Sequence, residues 1–134
     1  MLQRYPFISL DASFVIARIM TAIFFVAHAS VRIARWTIPQ FALFWENLGL
    51  SLNMGTVIVW AITLTELACG ALLIAGRHVR LATIPLAAIA AGGIVLIHAR
   101  LGWFVGEHGT GGSEYSVALL VLLLLVAAQD KAKA

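Results

Sequence analysis

Four long apolar runs, separated by short polar connections, set the plan of this chain: Ala12 to Val31, Met54 to Ala75, Leu81 to Ala99 and Ser113 to Gln129. About 20 apolar residues rising 1.5 Å each cover the roughly 30 Å hydrocarbon core of a bilayer, so each run is read as a transmembrane helix. The first follows Asp11, a suitable N-cap, and carries Arg18 and His28 inside it. It is not read as a signal peptide, whose apolar core is shorter and whose cleavage pattern Ala27-His28-Ala29 matches only superficially. The second starts after Ser51 and Asn53 and places Thr63, Glu66, Cys69 and Gly70 on one helical face, which is expected to point at protein. The third has Pro85 in its first turns and Gly92-Gly93 where another helix can approach closely. The fourth spans only about 25 Å, which puts Glu114 at the membrane boundary.

Between the first two runs, Phe41, Phe44, Trp45 and Leu48 recur at i, i+3, i+4 and i+7, giving one apolar face to a short interfacial helix over residues 39–49. Aromatic residues at that depth act as anchors or, alternatively, as a gate over a lateral site. Gly76 to Arg80 is a tight basic turn, and Gln129 to Ala134 is a solvated tail. The fold expected is an all-α integral membrane protein, one four-helix domain over residues 1–134 with no internal repeat.

Composition agrees: 62% apolar and 11% charged leaves a soluble chain of 134 residues nowhere to hide its apolar surface. The net charge of +3 comes with no basic run interleaved with aromatics, which argues against nucleic acid as a partner. Cys69, the single cysteine, has no mate for a disulfide or a C-x-x-C site. Basic residues in the connections orient the chain. With the N-terminus inside, Arg4, Arg77, Arg80, Lys131 and Lys133 face the cytoplasm, against Arg32, Arg35 and Arg100 outside, which places both termini in the cytoplasm.

Depth sorts the intramembrane charges into two sets. Arg18 lies about 9 Å and Glu66 about 15 Å from the cytoplasmic helix ends, close enough for long side chains to form a buried ion pair. His28 and His98 both fall about 24–27 Å in, at the level where Glu114 begins the fourth span. Such a cluster can coordinate a metal, deprotonate a quinol, or simply close the bundle by hydrogen bonding. No H-x-x-x-H or E-x-x-H spacing supports a metal site, and none is assigned. His78 and His108 are expected in solvent.

At these residues the chain resembles the DoxX family of small bacterial membrane proteins. The resemblance rests on Arg18, Phe24-Phe-Val-Ala-His28, Glu66 followed by Leu72-Leu-Ile-Ala-Gly76, and His98 ahead of Gly102-Trp-Phe and Gly111-Gly-Ser-Glu-Tyr115. It departs at Ala29-Ser30-Val31-Arg32, where many members have a glycine and a lysine after the histidine. The resemblance implies four helices in the bacterial inner membrane and an association with oxidoreductase systems, as for the related DoxD and DoxA subunits of a thiosulfate:quinone oxidoreductase. It does not supply a substrate. Two readings remain. One is a redox accessory subunit with a quinone-reactive, proton-handling pocket lined by His28, His98, Glu114 and Trp103, serving a partner enzyme. The other is a non-enzymatic scaffold or homo-oligomer whose buried charges hold the bundle together.

Overall fold

The computed structural model describes residues 5–51, 53–104 and 112–133. Helix α1 runs from Leu10 to Ala34, and its N-cap is Ser9, whose Oγ accepts from the Ala12 N–H at 3.1 Å. Asp11 therefore sits in the first turn, where a carboxylate suits the positive end of the helix dipole. Helix α2, Ile38–Asn47, is the short helix between the first two spans, opened by Pro39 in its first turn. Helix α3, Met54–Ala75, stops at Gly76 in the left-handed region (φ 67°), with the Gly76 and Arg77 N–H groups donating back to Leu73 and Leu72.

Helix α4, Val79–Gly93, passes into a π-helical turn, Ile94–His98, and a last short turn α5, Ala99–Leu101, so that one rod runs from Val79 to Leu101. Helix α6 is Ser113–Lys133. Four of these rods are long and apolar enough to cross a membrane, and no strand occurs among the described residues. The chain is a multi-pass membrane protein, and a lipid bilayer is its environment. Exposed side chains such as Val57, Leu64, Ile84, Val95 and Leu124 along the rods are the surface that lipid covers.

The four spans pack as an antiparallel ring, α1 on α3, α3 on α4, α4 on α6 and α6 on α1, with α2 laid against α3. Two close approaches set this arrangement. A side chain at Gly70 would strike the Val26 side chain of α1, and one at Gly55 would strike the Ala42 carbonyl of α2. At the end of the bundle that holds both termini, Gln129 donates to Asp11 at 3.2 Å and Arg80 pairs with Asp130 at 3.5 Å.

The apolar interior falls into two clusters. The larger joins Phe25 of α1, Leu73 of α3, Leu86 of α4 and Leu119, Leu123 and Val126 of α6. The smaller, at the far end, joins Ile38 and Ala42 of α2 to Val59 of α3. Polar side chains and an open space lie between them.

Candidate functional site

The charged centre is an ion pair between α1 and α3. Arg32 Nη1 lies 2.7 Å from Glu66 Oε2 and 2.7 Å from Thr63 Oγ1, and the Thr63 hydroxyl in turn donates to the Val59 carbonyl at 2.7 Å. The guanidinium also stands 5.3 Å from the centre of the Phe41 ring, a cation–π distance that ties α2 to the pair. Glu66 is only 4% exposed, so it needs such a partner.

That partner was expected to be Arg18, and the structure corrects this. Gly70 faces Ala22 and Val26, while Gly76 faces the Arg18 guanidinium, so Arg18 sits level with the end of α3, about 15 Å along the axis from Glu66. Side-chain direction completes the explanation. Helical side chains lean toward their own N-terminus, so in antiparallel α1 and α3 Arg32 and Glu66 lean toward each other while Arg18 leans away. Arg18 instead approaches the negative end of the α3 dipole, and its Nε has no hydrogen-bond partner among the described residues. Helix α1 also continues past Val31, which brings Arg32 into the helix rather than into a connecting loop.

Around the Arg32–Glu66 pair lies a cavity of about 480 Å³. Its walls include His28 and Arg32 from α1, Phe41 and Trp45 from α2, Glu66 from α3, Gly92, Gly93 and His98 from the α4 rod, and Tyr115 from α6. Gly92 and Gly93, expected as a place for close helix contact, line this space instead: a Cβ on Gly92 would meet nothing within 4 Å. Immediately beyond them the helix widens into the π turn that carries His98, a device often found where a helix borders a site. His98 Nδ1 and Trp45 Nε1 are buried without hydrogen-bond partners among the described residues. Phe41 and Trp45 thus serve as more than anchors: they cover the cavity from the α2 side.

A second cavity of about 410 Å³ opens between α1 and α6, walled by Phe24, Ala27, His28, Val31, Arg32, Thr37 and Tyr115. It shares His28, Arg32 and Tyr115 with the first. The Tyr115 ring lies 6.3 Å from His28 and 6.0 Å from Phe24, forming the partition between the two.

The structure therefore brings His28, His98 and Glu66 to one cavity and leaves three of the named residues outside it. Arg18 is one; Glu114 and Trp103 do not line the cavity either. The Glu114 N–H donates to the Trp103 carbonyl at 3.0 Å and the Ser113 N–H to the Gly102 carbonyl at 2.9 Å, which pins the start of α6 to the end of the α4 rod. Trp103 is 52% exposed. From the first turn of α6, the half-exposed Tyr115 lines the cavity with its ring, and Ser116, which is buried, lines it from the next position. His108 and Gly109–Gly111 lie outside the described residues. Among the described residues no three His, Cys, Asp or Glu side chains gather into a metal-binding group. Arg32, Trp45 and Tyr115 were missed as site residues. The i, i+4 spacing of His28 and Arg32 is the signal that would have found the first.

A four-helix membrane bundle with a small extra helix capping a polar-lined internal cavity is the class defined so far. A family model described as DoxX matches residues 13–99, well over half of the chain and reaching from α1 through the π turn. The protein belongs to the DoxX family. No curated protein and no solved structure matches it.

Proposed function

We propose that this protein binds a quinone head group in the cavity around Arg32 and Glu66, as the quinone-facing membrane subunit of an oxidoreductase system in the bacterial inner membrane. The observation that carries this reading is the character of the cavity: an apolar space of about 480 Å³ into which a few polar groups converge. Ligand sites for small molecules have this make-up and this size, about 300–1,000 Å³. Two of its wall residues also hold unsatisfied groups. A buried polar atom without a partner costs about 1–3 kcal/mol, and a small rotation of Trp45 or His98 toward a guest removes that cost.

The chemistry of the groups suits a quinone. An indole N–H only donates, so Trp45 matches a carbonyl oxygen. Imidazole both donates and accepts, so His28 and His98 can hand a proton to a quinone oxygen or take one from a quinol. Quinone reduction needs two electrons and two protons. The histidines supply a route for the protons, while the electrons come from a partner oxidoreductase, because the sequence has no C-x-x-C and no dinucleotide-binding glycine pattern. With Arg32 engaged by Glu66, only Arg35 and Arg100 remain to oppose the five basic residues of the other face, which strengthens the placement of both termini in the cytoplasm.

Purification in mild detergent followed by organic extraction tests the reading. Quinone recovered near one per chain, lost in His98→Phe while the bundle and its partner complex stay assembled, is the expected result. A cofactor-free homo-oligomer that takes up no added quinone contradicts it and leaves the scaffold role.

A further inference from the structure

We infer that the cleft between α1 and α6 receives the isoprenoid tail of the ligand, so that the site is loaded sideways from the bilayer past Tyr115 and His28. This rests on the quinone reading above and adds the ligand's tail and its route. Three observations lead to it. The cleft and the head-group cavity share His28, Arg32 and Tyr115, so one molecule can occupy both. Away from that shared wall Thr37 stands at the mouth of the cleft and the rest of the lining is apolar: Phe24, Ala27 and Val31 form one stripe of α1 with His28, and Val31 is 49% exposed on the outside of the bundle. The other flank is shut, because Phe41 and Trp45 cover it and Ile38 and Ala42 bind α2 to Val59 of α3.

The two helices are well placed for such a portal. Gln129 and Asp11 tie α6 to α1 at the end holding the termini, and the cleft opens toward the opposite end, beside Thr37. A long hydrocarbon tail leaving a membrane-embedded cavity stays in apolar surroundings only if its exit faces lipid, and Ala27 and Val31 lie on the exposed face of a membrane-spanning helix.

The test compares a dimethoxy-methyl-benzoquinone with and without a decyl tail, with affinities measured by native mass spectrometry on the full chain in detergent. Wild type is expected to prefer the tailed compound by at least about tenfold, since burial of even two methylenes is worth that much. Ala27→Phe, which fills the cleft from its exposed wall, should remove the preference and leave the tail-less affinity within about twofold. Val31→Phe serves as a second variant with the same expectation. A tail preference that survives both substitutions, or a wild type that binds both compounds equally, overturns the portal while the quinone reading stands. Failure of wild type to bind either compound overturns the quinone reading itself.

Discussion

The two halves of this bundle are built from the same four helices and differ in how completely they are filled. Toward the termini, Leu73, Leu86 and Leu123 are at most 1% exposed and meet in a packed core. Toward the far end the same helices present Glu66, Arg32, His28 and His98 around a cavity, and α4 replaces bulky side chains with Gly92 and Gly93 before loosening into a π turn. Filling is what stabilises a helix bundle, so a half left open beside a continuous core is a feature of function rather than of folding. The packed half holds the helices together, and the open half is free to bind.

The comparison is broken most forcefully at the ion pair. Glu66→Gln leaves Arg32 as an uncompensated buried cation and should lower stability by about 3–5 kcal/mol, read as a large fall in the midpoint of thermal unfolding in detergent. Combining Arg32→Leu with Glu66→Leu should be milder than either single change, because no charge is then stranded. Next comes the packed half. Leu86→Ala opens a hole in a fully buried site and should cost about 2–5 kcal/mol, yet leave quinone affinity at the parental value.

Gly92→Leu is the converse change. It fills open space, so unfolding should stay within about 1 kcal/mol of the parent while quinone affinity falls at least about tenfold. Smallest is Arg18→Leu. With no carboxylate beside it among the described residues, Arg18 should change stability by less than about 1 kcal/mol, and its effect should add to that of Glu66→Gln instead of coupling with it. Strong coupling between those two would restore the pairing first expected.

The four spans and α2 were legible in the sequence because run length and aromatic periodicity report helices directly. The register between helices was not. Arg18 and Glu66 differ by only about 6 Å in depth when counted from assumed helix ends, an interval within side-chain reach, so counting alone did not separate Arg18 from Arg32. What decides is the contact of Gly70 with Ala22 and Val26, the extension of α1 to Ala34, and the opposite lean of side chains on antiparallel helices. His28 and His98 were legible as a level, since both are histidines late in apolar runs. Tyr115 was overlooked beside its charged neighbour Glu114, because only the placement of α6 in the bundle brings its ring to the wall of both cavities. The π turn leaves no mark in hydrophobic periodicity, and with it the path by which His98 reaches the cavity was invisible.

One measurement bears most directly on the division into a holding half and a binding half: the stoichiometry of quinone bound to purified protein, followed by native mass spectrometry for wild type, Leu86→Ala and Gly92→Leu. The expected result is one quinone per chain in wild type and in Leu86→Ala, and none in Gly92→Leu although it unfolds like the parent. Equal occupancy in all three proteins would show that the ligand does not sit in this cavity and would contradict the account.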